Sequence, residues 1–158
     1  MSLQRLDVGL ARRASVALDT ISRTAGGSAP PEVITRLKGL PALLRTSGLP
    51  ATMAFLYAKA GGEDPLEIAY RTVRDALLAE VAAVWDWGDE RPDAMEFFAR
   101  IGDPARVSAT DLARATARLE EFANWLRRLA EALERAAPRS QRGTTAARHN
   151  RGRSDGHA

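Results

Sequence analysis

The chain has 158 residues, 45% of them hydrophobic but only 6% aromatic, with a net charge of +3 and no cysteine. That length allows one domain with a real core, and the missing cysteine excludes disulfides and thiolate metal sites. No apolar run approaches the ~18 residues of a membrane span, and a composition rich in Ala and Leu and poor in β-branched residues favours helices over strands.

A first helix is predicted over residues 3–24, where Leu3, Leu6, Leu10, Ala14, Ala17 and Ile21 recur in steps of three and four. Arg5, Arg12, Arg13 and Arg23 fall off that stripe, toward solvent or a partner. The segment MSLQRLDVGLARR has charges set through its apolar positions and no signal-peptide core, so the expected compartment is the prokaryotic cytoplasm. Gly26-Gly27 ends the helix and Pro30-Pro31 prevents its resumption.

A second helix opens near Pro31 and carries Val33, Ile34, Leu37 and Leu40. Pro41 removes one hydrogen bond and crowds the preceding turn, so a kink or break is expected at Gly39-Leu40. Ser47-Gly48 supplies a stop, with Gly48 expected in the left-handed helical conformation, and Pro50 opens a third helix over 50–60. Met53, Phe55, Leu56 and Tyr57 come almost without a charge. This third helix is therefore expected to be mostly buried, with the stretch 39–59 at the centre of the fold.

Asp64, Pro65 and Glu67 mark the next helix start: an N-cap, a proline in the first turn and a glutamate three residues after the cap. Its stripe runs through Leu66, Tyr70, Val73, Leu77, Val81 and Val84 to Trp87, with Gly88 as the stop. A short fifth helix is expected over 93–101, with Met95, Phe97, Phe98 and Ile101 apolar. Ser108 and Asp111 then cap a sixth, in which Leu112, Ala115, Leu119, Phe122, Leu126, Leu129, Leu133 and Ala136 alternate steps of three and four until Pro138. Such a helix spans roughly 40 Å at 1.5 Å per residue. From Pro138 the chain has five arginines, one aspartate and almost nothing to bury, so 138–158 is expected to be a disordered basic tail beside a helical domain of 1–137. The fold class is all-α: a compact bundle of about five to six helices with a long C-terminal amphipathic helix.

Catalytic options are few. His149 and His157 both lie in the tail, so the helical domain has neither His nor Cys and no Ser-His-Asp, Cys-His or His-zinc constellation. Asp86, Asp89, Glu90 and Asp93 lack EF-hand spacing and read as a solvated acidic loop. The Gly pairs follow helices rather than strands, unlike phosphate-cradling loops. No enzyme activity, cofactor or metal is expected.

Beside the apolar stripe of the last helix runs a second one: Arg114, Arg118, Glu121, Trp125, Arg128, Ala132 and Arg135. It fits either a solvated face with Trp125 at the edge of the core, or a surface for RNA or a protein partner, where Arg pairs with phosphate and the ring adds contact area. Arg45, beside the Ser47-Gly48 turn, is a second candidate of the same kind. A helical protein–protein adaptor without RNA contact and, more remotely, a small carboxylate-dependent enzyme also stay open on these residues.

Two stretches together resemble a known family. LPALLRTSGL at 40–49, followed by Met53-Ala54-Phe55-Leu56, is similar to a Leu-Pro-Ala-Leu-(Ile/Leu)-Arg-x-Asn-Gly-Leu…Leu-Ala-Phe-Leu signature, and WLRRLAEA at 125–132 is similar to a Trp-Leu-Lys-Arg-Phe-Ala-Glu-Ala helix. Both belong to the small subunit of type III-B CRISPR–Cas effectors, the Cmr complexes of the RAMP module. The resemblance covers about 1–136; Ser47 stands in place of Asn, Pro50 follows the Gly-Leu, Arg127 replaces Lys, and the tail lies outside it. It implies a non-catalytic helical subunit, several copies of which stack head to tail beside the backbone RAMP-type subunits and line the groove where target RNA pairs with crRNA. By matched position it implies Arg45, Lys59, Arg127 and Arg128 as RNA or subunit contacts; Arg12, Arg13 and Arg118 are added from the charge pattern alone.

Overall fold

A computed structural model of the protein describes residues 3–88 and 90–137, and of residues 3–6 only the backbone. These form five helices: α1 (Leu3–Thr24), α2 (Pro31–Lys59), α3 (Pro65–Trp85), α4 (Ala94–Ile101) and α5 (Ala109–Ala136). No strand occurs among the described residues, and the fold is an all-helical bundle. The expected tail and Asp89 lie outside the described residues.

Local chemistry sets the helix starts. Asp64 caps α3, accepting a bond from the Glu67 N–H while the Glu67 carboxylate accepts one from the Asp64 N–H. Ser108 and Asp111 make the same reciprocal pair at α5, and its hydrogen bonds hold the Asp111 carboxyl below its usual value. Asp93 caps α4 through the Glu96 N–H. Each such cap satisfies a backbone donor that the helix itself leaves unpaired.

The predicted second and third helices are joined. No residue of α2 leaves helical geometry except Gly48, at φ 79° and ψ 173°. Pro41 therefore does not break the helix at Gly39-Leu40; its ring is buried, and packing in the core offsets the lost hydrogen bond. Gly48 has the expected positive φ but an extended ψ, a region that glycine alone occupies without strain. The kink divides α2 into arms 31–47 and 49–59, and the buried Thr52 hydroxyl donates to the Gly48 carbonyl at 2.8 Å. Gly48→Ala is expected to cost ~1–3 kcal/mol, read as a lower melting temperature; an unchanged melt would show that α2 does not need this geometry. The second arm is buried on one face only, at Thr52, Met53 and Leu56, with Ala51, Ala54 and Ala58 exposed.

α5 packs against α1, α2 and α3, so the core lies along it as well as along α2. Leu119, Phe122, Ala123, Leu126 and Ala130 of α5 meet Leu10, Ala14 and Ile21 of α1, Leu37, Leu44, Met53 and Leu56 of α2, and Val73, Leu77 and Val81 of α3 in one cluster. The predicted α5 stripe holds in its middle and fades at the end, where Leu133 is 43% exposed. α3 stops at Trp85, two residues short of expectation, because Asp86 takes a left-handed conformation and its N–H caps the Ala82 carbonyl. Trp87 turns back onto Trp85 and Phe97. The same aromatic group anchors α4: Phe97 is buried beside Tyr57, whose hydroxyl donates to the Pro92 carbonyl at 2.7 Å. Burial pushes the Tyr57 phenol up to about 12 against the opposing effect of Arg74. Of the four apolar residues of this helix, Met95 points outward and is 82% exposed.

Candidate functional site

Three of the candidate cations, Arg118, Arg127 and Arg128, lie on α5, on two flanks either side of its buried stripe; Arg12 and Arg13 lie on α1, and Arg45 and Lys59 on α2. On the first flank Glu120, Arg127, Glu131 and Glu134 follow one another in steps of seven, four and three, which keeps them on one side of the helix. That side faces the first arm of α2: Arg45 reaches Glu120 at 3.6 Å and Lys38 reaches Glu134 at 2.7 Å. Arg127 lies along the helix toward Glu131 at 3.5 Å. Arg45, Arg127 and Lys38 thus belong to one band of alternating charge where the first arm of α2 meets α5.

The second flank carries Arg118, Trp125 and Arg128, spaced by seven and three. Trp125 donates its indole N–H to the Asp7 carboxylate of α1 at 2.6 Å, and the Arg128 guanidinium lies over its ring, 5.1 Å from the centroid. Such stacking orders the guanidinium while leaving its edge free to donate. Arg128 is exposed and makes no ion pair among the described residues. The same holds for Arg12 on the outer face of α1 and for Lys59 in the last turn of α2.

Arg13 and Arg118 have a different setting. Both converge on Glu80 of α3, which is 2% exposed. Arg13 clasps both carboxylate oxygens, through Nε to Oε1 and through Nη2 to Oε2 at 3.2 Å, and Arg118 Nε donates to Oε2 at 2.9 Å. These two cations are held by the interior and join α1, α3 and α5. Trp85 adds a further link at the start of α5, donating its indole N–H to the Asp111 carbonyl at 3.0 Å.

Sequence reasoning passed over Glu80 and Asp7. Glu80 carried a signal: it is seven residues after Val73 and three after Leu77, inside the apolar arc of α3, where a carboxylate needs partners. Asp7 carried none, since its role depends on which turn of α5 lies opposite.

The acidic loop is partly drawn into structure as well. Glu90 and Glu96 both accept from Arg100, which they hold above its ordinary pKa, and Arg100 lies over the Trp87 ring. Among the described residues no three His, Cys, Asp or Glu side chains gather as metal ligands would, and no helix is long and apolar enough to cross a membrane. What the surface offers is exposed guanidinium and ammonium groups on rigid helices, suited to anionic or hydrogen-bonding partners.

The sequence model of the family described as CRISPR-associated protein (Cas_Cmr5) matches residues 11–133. That span takes in both resembling stretches and every candidate cation from Arg12 to Arg128. No curated protein and no solved structure matches the chain.

Proposed function

The chain belongs to the Cmr5 family of CRISPR-associated proteins, and from that premise we propose that it is the non-catalytic small subunit of a type III-B RNA-guided effector. Copies stack head to tail along the backbone filament, beside the RAMP-type backbone subunits, and help hold target RNA next to the crRNA. Base pairing with the guide reads the sequence, so this subunit needs only contacts to phosphate and sugar. The family match over residues 11–133 carries the reading.

The charge arrangement supports it. Arg12, Lys59 and Arg128 keep their charge unpaired among the described residues, and Arg45 and Arg127 have only exposed or half-exposed pairs, which are worth ~0–1 kcal/mol and can be exchanged for phosphate. Arg13 and Arg118 share the Glu80 carboxylate and are the less available members of the set.

The test is co-purification. Drawn from native cells, the tagged full chain is expected to bring backbone subunits and crRNA with it, and purified alone it is expected to leave RNA and DNA uncut with or without divalent metal. Protein partners without crRNA would replace this reading with a protein–protein adaptor. Metal-dependent cleavage that follows this chain through purification would replace it with an enzyme.

A further inference from the structure

A groove of about 440 Å³ opens between the two arms of α2 and α3, lined by Leu40, Leu43, Phe55 and Val73 among others, with Ala42 and Arg36 at its edge. The Arg36 guanidinium lies over the Phe55 ring, 5.5 Å from the centroid, and makes no ion pair among the described residues. Phe55 and Tyr57 are two positions apart on one helical arm, so they point about 200° apart at 100° per residue. Tyr57 faces Phe97 and Phe98 of α4. The groove and α4 therefore lie on opposite sides of the second arm.

α4 has an apolar ridge of its own that covers nothing among the described residues. Met95 is 82% exposed, and Ala99, one turn further on, is exposed with it. The exposed carboxylates of Asp93 and Glu96 flank the ridge. The first turn of α4 is opposite in charge to the groove's edge: Asp93 keeps an exposed carboxylate there while Glu96 shares its own with Arg100, and Arg36, over Phe55, makes no ion pair among the described residues.

We infer that the groove receives α4 of a second copy, with Met95 and Ala99 entering between the first arm of α2 and α3, and Arg36 meeting the acidic first turn of that helix. Methionine suits such a site, because its unbranched side chain adapts to an irregular cleft. Since ridge and groove occupy opposite sides of each copy, the contact is heterologous: every copy leaves one free groove and one free ridge, and the row extends instead of closing. The inference rests on the stacking reading above and assigns surfaces to it.

The absence of cysteine makes the contact accessible to thiol chemistry. Full-length chains carrying Ala42→Cys or Met95→Cys alone, mixed and treated with a short bis-maleimide, are expected to give a mixed dimer, and the chain carrying both a ladder of oligomers. Dimers from Met95→Cys alone would mean that α4 pairs with itself, and would overturn the proposal. In the assembled effector, Met95→Glu and Arg36→Glu are each expected to lower the number of copies seen by native mass spectrometry, with the melting temperature of the free chain unchanged. A wild-type effector holding one copy would end the stacking reading itself. Several copies that persist in both variants, with no ladder from the double-cysteine chain, would end this inference and leave that reading standing.

Discussion

Glu80→Ala is expected to lower the stability of the isolated protein by about 3 kcal/mol, toward the lower end of what removal of one partner from a buried ion pair costs. The substitution leaves two guanidiniums facing each other across an emptied site, one from α1 and one from α5. Arg118, with a side chain only 20% exposed, cannot easily reach water, whereas Arg13 at 46% can swing outward. That relief is why the lower end of the range applies. For a chain of this length the loss corresponds to roughly 6–12 °C in melting temperature. Glu80→Gln keeps the shape and one acceptor but removes the charge, and is expected to fall between the alanine variant and wild type. Arg13→Ala and Arg118→Ala should then be non-additive, because both act on one carboxylate. A melting temperature for Glu80→Ala within a degree of wild type would mean that water replaces the carboxylate and that α1, α3 and α5 are held by apolar packing alone.

The contrast between Glu80 and its neighbours shows what was legible in the sequence. Helix starts were: Asp64, Asp93 and Ser108 act on backbone groups within three residues, so their chemistry is complete locally. The span of α1 and the central stripe of α5 were legible for a similar reason, since one-sided burial imposes its period on the sequence. A break at Pro41 was misjudged because its local cost is visible and the packing of its buried ring is not. The exposure of Met95 was not legible, because an eight-residue helix has too few positions to distinguish its buried face, centred on Phe97, from the face it leaves open. The candidate site was legible only as a set of cations. Which of them point to carboxylates is decided by contacts over long sequence separations, as between Arg13 and Glu80 or Asp7 and Trp125.

Those contacts also sharpen the expected effect of charge reversal. Replacing Arg45, Arg127 and Arg128 together by Glu should leave the fold of the free protein nearly unchanged, because all three are exposed or half-exposed, Arg45 on α2 and the other two on α5, and their pairs are weak. In the assembled effector it is expected to weaken target-RNA retention roughly tenfold or more at physiological salt, since each phosphate contact contributes a salt slope of only ~0.7–0.9 but repeats with every copy along the strand. The flanks can then be separated. Arg45 and Arg127 already face Glu120 and Glu131, so much of their field is cancelled before RNA arrives. Arg128 makes no ion pair among the described residues and is held in place by the Trp125 ring, which Asp7 orients in turn. Arg128→Glu alone should therefore account for more of the lost target affinity than Arg45→Glu with Arg127→Glu, and Trp125→Ala should reproduce part of it by releasing the guanidinium. If instead the Arg45 and Arg127 pair dominates, RNA runs along the flank shared with α2. If the complex loses subunits by native mass before it loses target, these cations hold a neighbouring protein. Wild-type assembly and wild-type target binding by the triple variant would remove both flanks of α5 from the interface and leave Arg12 and Lys59 as the cations to test.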